Sequence, residues 1–244
     1  MIPTQEWINK WKEIHKKTYS LVNFNDYFKK SRIVGKKLTV INIGICSVPS
    51  GKILVRDPLC YLNDRNAQPY LRKVSAGNYQ TELCVIKPMD GDCARYAAAR
   101  ICFTNHLAVH FEEALVGNED LDSLENFEYF GFSVDAGLGC ICDEILHQKF
   151  CDFVELWHKQ NPDGNLYDDY FEALFKASYK AHPKYQRSDG DWINWRIPET
   201  DYFLPIFQSG FGDGFYPVYW GLDSSGKVCQ IIVQFIDILS AYGE

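Results

Sequence analysis

The chain has 244 residues, 46% of them hydrophobic and 15% aromatic, enough to bury a full core without a metal or disulfide staple. Its 25 Lys and Arg stand against 32 Asp and Glu, a formal net charge of -7, which argues against a nucleic-acid partner. No apolar run approaches the ~18 residues of a membrane span, and the first residues are charged and amphipathic, so neither signal peptide nor membrane partner is expected.

Nine cysteines, an odd number, fall mostly inside apolar strand-like runs and carry no framework spacing. They read as reduced, buried thiols of a soluble cytoplasmic protein. Charge is uneven along the chain. Residues 1–118 carry 17 Lys/Arg and 10 Asp/Glu, net +7; residues 119–169 carry 2 and 13, net -11; residues 170–244 carry 6 and 9, net -3. The middle block favours a cationic partner, although a solvated helical face would show the same composition.

In chain order, residues 4–17 read as a helix with Thr4 as N-cap and Trp7, Ile8, Trp11 and Ile14 on one face. A short helix at 25–30 follows, and the two form an N-terminal helical cap over residues 1–35. From 36 to 244 a single α+β domain is expected. Residues 38–45 form a strand, Pro49-Ser50-Gly51 turns the chain, and 52–57 returns as its hairpin partner. After a loop at 59–69, residues 71–74 and 79–86 give a second hairpin. Strands follow at 95–103 and 107–115, with an acidic loop or short helix at 118–126 and a strand at 130–134.

A helix capped by Cys142 or Asp143 carries Leu146, Phe150, Phe153 and Trp157 at helical spacing and stops at Asn161-Pro162-Asp163-Gly164. A second helix occupies 166–182, and strands follow at 192–197 and 203–207. Gly212 and Gly214 flank Asp213, so this loop can take positive φ. The run 215–220, the turn Asp223-Ser224-Ser225-Gly226 and the run 228–235 then make an aromatic hairpin. Many strands in hairpin order with segregated helices predict α+β: a mainly antiparallel, sandwich-like sheet with helices packed against it.

The blocks Ser209-Gly210-Phe211-Gly212-Asp213-Gly214-Phe215-Tyr216-Pro217, Gly221-Leu222-Asp223 and Gln234-Phe235 resemble the C-terminal signature of a bacterial family known as domain of unknown function 4241. Ser50-Gly51-Lys52, Arg56-Asp57-Pro58, Gly77-Asn78-Tyr79 and Asp135-Ala136-Gly137-Leu138-Gly139 match its other blocks in the same order. The resemblance spans residues 40–235. It implies a shared fold and shared turns, and no activity.

Several constellations could carry chemistry. The turn aspartates Asp57, Asp92, Asp135, Asp143 and Asp213 would bind a cation or act as acid and base if their loops met; each could equally cap its own turn. The ligand-site candidates are Asp57, Arg95, Asp135, Asp213 and Tyr216. Cys140-Ile141-Cys142 with His147 and Cys151 lacks the usual C-x2-C zinc knuckle, and a cysteine nucleophile paired with His106, His110 or His147 lacks a local signature. Arg56, Arg72, Lys73, Arg95 and Arg100 form either an anion pocket or salt bridges. No P-loop, dinucleotide fingerprint or hydrolase motif is present.

The expected function is therefore binding: an immunity- or antitoxin-like protein masking a basic toxin partner, with Glu119, Asp120, Asp122, Glu125 and Glu128 and the aromatic hairpin as its surface. The alternative is a metal- or small-ligand-dependent enzyme at the carboxylate/arginine loops. No resident cofactor is expected, and the sequence leaves the oligomeric state open.

Overall fold

The computed structural model describes residues 3–88, 93–124 and 129–243. Thr4 accepts the Trp7 amide at 3.1 Å through Oγ1 and caps α1 (Gln5–Ile14), which runs into a 3-10 turn, His15–Thr18. A second short helix, α2 (Asn25–Lys29), completes the cap.

The body is α+β and its described strands pair antiparallel. Seven of them, β1 (Arg32–Ile33), β2 (Lys36–Val48), β4 (Gly77–Ile86), β5 (Arg95–Cys102), β6 (His110–Glu113), β12 (Val218–Leu222) and β13 (Val228–Gln234), form a sheet in the order β1-β2-β4-β5-β13-β12-β6. Four others, β3 (Ile53–Arg56), β8 (Leu138–Asp143), β9 (Trp192–Arg196) and β10 (Phe203–Gln208), make a second sheet in the order β3-β8-β10-β9. A separate ribbon joins β7 (Phe132–Val134) to β11 (Gly214–Tyr216).

Side-chain alternation stacks these sheets in layers, because successive strand residues face opposite sides. Ile53 and Val55 of β3, Ile141 of β8 and Phe207 of β10 join the core shared with the large sheet. Leu54, Cys140, Cys142, Leu204 and Ile206 face the other way, into a second core closed by Leu146, Phe150 and Val154 of α3 (Glu144–Gln160) and Phe175 of α4 (Glu172–Ala181). All of β13 from Cys229 to Gln234 is buried, so both faces of the central large sheet are covered. The small sheet covers one face, where Cys46 Sγ lies 3.3 Å from the Ile141 carbonyl. The cap and α5 (Ile238–Tyr242) cover the other: Phe24 packs on Phe111 and Tyr219, and Tyr27 Oη accepts the Ile238 amide at 2.9 Å.

Three expectations are corrected. Residues 52–57 do not return beside 38–45; β3 joins the small sheet and pairs with β8. The cause lies at the turn, where the Asp143 carboxylate accepts the Ser50 and Gly51 amides, each at 3.0 Å, while also capping α3 through Ile145. That grip directs the chain between sheets. Residues 71–74 contribute only a bridge, Lys73 to Lys52, and the strand expected to pair with them, β4, pairs with β2 from Leu38–Ile86 to Val48–Gly77. Finally, the run 215–220 is two strands, since Pro217 has no amide hydrogen to donate and breaks the ladder between β11 and β12.

One bulge locks the layers together. Between Asn42 and Gly44 the β2–β4 register shifts, and the Asn194 carboxamide, with its amide turned to suit, donates to the Ile45 carbonyl at 3.0 Å and accepts its amide at 3.2 Å. Gly44 has φ +116, and a Cβ there would lie 2.4 Å from Asn194 Cγ. No described helix is long and apolar enough to cross a membrane.

Candidate functional site

The anticipated aspartate loops meet, but not as a chelating set. Asp57 is fully buried; its Oδ1 accepts the Leu59 and Cys60 amides at 2.9 and 3.3 Å, and its Oδ2 accepts those of Asp135 and Ala136 at 3.0 and 2.7 Å. Both oxygens are spent tying the loop after β3 to the loop after β7. Exposed Asp135 takes a very short hydrogen bond from Tyr61 Oη. Asp213 Oδ1 lies 4.0 Å from where a Cβ on Gly137 would stand. Burial first, then the charges of Asp57, Asp135 and Asp213, raise the Cys60 thiol pKa. The same end of the molecule holds Arg95, whose Nη1 lies 3.5 Å from the Gly210 carbonyl and whose guanidinium covers the Phe211 ring at 5.1 Å. Tyr216 is buried, and its hydroxyl lies 2.7 Å from the Gly212 carbonyl and 3.3 Å from that of Ser209. Gly212 adopts φ +104, so the glycine-framed loop has the backbone expected of it.

On the cap side of Tyr216 lies a larger feature that the sequence reading did not single out. A cleft of about 700 Å³ opens between residues 16–22 of the cap and the C-terminal hairpin. Tyr216, Tyr219, Phe235, Tyr129 and Phe215 line it, and Glu113 forms part of its wall. Tyr129 and Phe215 stack at 5.7 Å and remain 38% and 46% exposed at the mouth. Tyr129 Oη donates to the Phe215 carbonyl at 2.9 Å, which fixes that pair.

The two carboxylates of β6 divide between the sheet's faces. Glu112 meets Arg72, whose Nε and Nη2 donate to one oxygen at 3.0 and 2.7 Å. Glu113, next along, has no cationic side chain within salt-bridge distance among the described residues. Its Oε1 accepts the Gly131 amide at 2.9 Å and a shorter bond from Phe130. Burial pushes its pKa from 4.5 up to about 7, opposed by those two amides and assisted by the charge of Glu119. Gly131 makes this approach possible: at φ +31, a Cβ there would lie 2.3 Å from the Tyr216 carbonyl. The sequence did carry a signal, since two consecutive acids in the run Phe111-Glu112-Glu113-Ala114 must face opposite sides of a strand.

The acidic block is partly internalised. Glu119 folds back onto the amides of Val116, Gly117 and Asn118, and its carbonyl accepts Trp7 Nε1 at 3.0 Å. Asp122 pairs with Lys10 of α1 yet keeps its side chain 83% exposed, and Asp120 is exposed beside it. Glu125, Glu128 and Asp92 lie outside the described residues. The basic residues are dispersed among separate partners, with Arg100 on Glu82 and over Phe28, and Arg72 on Glu112.

Cys140, Cys142, His147 and Cys151 point to separate carbonyls, those of Arg56, Asp143, Asp64 and Leu62. Among the described residues no three His, Cys, Asp or Glu side chains are grouped to hold a metal. Burial raises the thiol pKa at Cys140, Cys142 and Cys151, which keeps them protonated.

The architecture is that of an α+β protein of two stacked antiparallel sheets with an aromatic cleft beneath an N-terminal cap. Residues 46–233 match the model of the DUF4241 family, proteins of unknown function, and the chain belongs to that family. No curated protein and no solved structure matches it.

Proposed function

We propose that this is a soluble, cytoplasmic binding protein that docks a basic protein partner, as an immunity protein or antitoxin docks a basic toxin. The observation that carries the reading is the cleft: exposed aromatic rings at its mouth, a buried carboxyl in its wall, and the exposed Asp120 and Asp122 on the turn that follows the same strand. Aromatic anchors beside carboxylates suit recognition of a basic partner, and the two lysines that also line the cleft, Lys16 and Lys17, are exposed to solvent. Nine free cysteines suit a reducing compartment. The alternative, a ligand-dependent enzyme at the Asp57, Arg95, Asp135 and Asp213 loops, is supported less well, because both Asp57 oxygens are already committed to backbone amides.

Affinity capture from the native host tests the docking reading. Wild type and Leu156→Ala, altered on an exposed residue of α3, should recover the same basic protein, and Tyr129→Ala/Phe215→Ala should lose it. Recovery unaffected by the double substitution would contradict the reading.

A further inference from the structure

Six carboxylates among the described residues are buried, and five of them have both oxygens or a cation accounted for. Asp57 and Asp143 use both oxygens on amides and a hydroxyl, Asp223 uses one on the Ser225 and Lys227 amides and the other on the His106 ring, Asp191 takes Arg187, and Glu112 takes Arg72. Glu113 differs. It is 3% exposed, its two hydrogen bonds both fall on Oε1, and Oε2 has no partner among the described residues. A carboxylate buried to this degree without a cation is costly to ionise, and as part of the cleft wall it lies where a cation entering the cleft can reach it.

We propose that the cleft above Glu113 is a subsite for one guanidinium group, supplied by an arginine side chain of the docked protein. This rests on the reading that a basic protein is the partner. Guanidinium is planar, so it can lie on a free face of the stacked pair of Tyr129 and Phe215 while its edge meets the Glu113 carboxylate. An ammonium would satisfy the charge without the stacking. The other titratable residues lining the subsite are Lys16, Lys17 and Tyr19 from the cap, Asp237 at the N-cap of α5, and Tyr129, Tyr216 and Tyr219, of which Tyr129 and Tyr216 spend their hydroxyls on backbone carbonyls. Both lysines are exposed, where solvent screens them, and Asp237 is committed to the Leu239 and Ser240 amides. Glu119, from the turn after β6, adds negative charge. Binding of the cation requires the ionised carboxyl, so it displaces the proton of any neutral Glu113 into solvent.

The test is a titration of the full chain with N-acetyl-arginine methylamide, read at the Gly131 amide by NMR, with the neutral citrulline analogue as control. The arginine probe should bind about tenfold more tightly at pH 8 than at pH 6, following ionisation of Glu113. Citrulline should not bind. Glu113→Gln keeps an acceptor for both amides and should remove the pH dependence and most of the affinity. Phe215→Ala alters an exposed ring and should weaken binding while keeping the pH dependence. Equal binding of both probes, or unchanged arginine binding in Glu113→Gln, would overturn the subsite. The two readings fail separately. Probe binding without captured basic protein sinks docking alone, and capture that survives Glu113→Gln, with no probe binding, sinks the subsite alone.

Discussion

Glu113 links stability to pH in a direction opposite to most carboxylates. Its pKa is raised from 4.5 to about 7, so the folded state holds the proton more tightly than the unfolded chain. The contribution is fully present below about pH 4.5 and is lost as pH rises through 7. Glu113→Gln, which cannot ionise, should therefore be more stable than wild type at pH 8, by on the order of 3 kcal/mol, with the difference vanishing near pH 4. Urea unfolding across that range checks this; a constant difference at all pH values would contradict it. Asp57 is a buried acceptor with both oxygens in use. Asp57→Ala leaves four amides without their oxygen and should cost about 3 kcal/mol or more in the same assay.

At the scale of elements, the turn at Ser50-Gly51 and the start of α3 are held by one side chain. Asp143→Ala removes the helix N-cap and the acceptor for both turn amides, so its cost should exceed the ~1 kcal/mol of a simple cap and reach about 2–4 kcal/mol. Asp143→Asn, which keeps one acceptor oxygen, should recover part of it. The ribbon of β7 and β11 is equally dependent on Gly131. Gly131→Ala places a methyl 2.3 Å from the Tyr216 carbonyl, and should lower the melting temperature and displace the stacked pair at the cleft mouth, read as a change in Tyr129 fluorescence or NMR shifts. These elements also mark where the sequence was legible. The strand β13, the helices α1 and α3 and the Asp143 cap follow from local pattern and turn chemistry, because each is decided within a few residues, whereas the alanines of β5 fit helix or strand and only its neighbours point to a strand. The sheet that β3 joins is decided at the Ser50 turn by a carboxylate 93 positions away from it, and nothing local reports it.

At the scale of the molecule, α+β architecture with a helical cap was readable from the order of hairpins and helices. The site was readable only in part. Asp57, Asp135, Asp213, Arg95 and Tyr216 do gather at one end, since glycine turns bring their loops together, but which oxygens remain available depends on amides supplied from distant loops. The role of Glu113 is not legible in the sequence, because it comes from the packing of the cap against the C-terminal hairpin around the cleft. The negative block was legible as composition, yet α1 covers part of it through Lys10 and Trp7.

The most direct measurement of the docking claim is photo-crosslinking in the native host, with the reactive amino acid placed at Phe215 in one protein and at Leu156 in another. Both positions are about half exposed, on different elements of the molecule. An adduct with one basic protein is expected from position 215 alone, attached next to an arginine of that protein. Equal adducts from both positions, or none from 215, would contradict it.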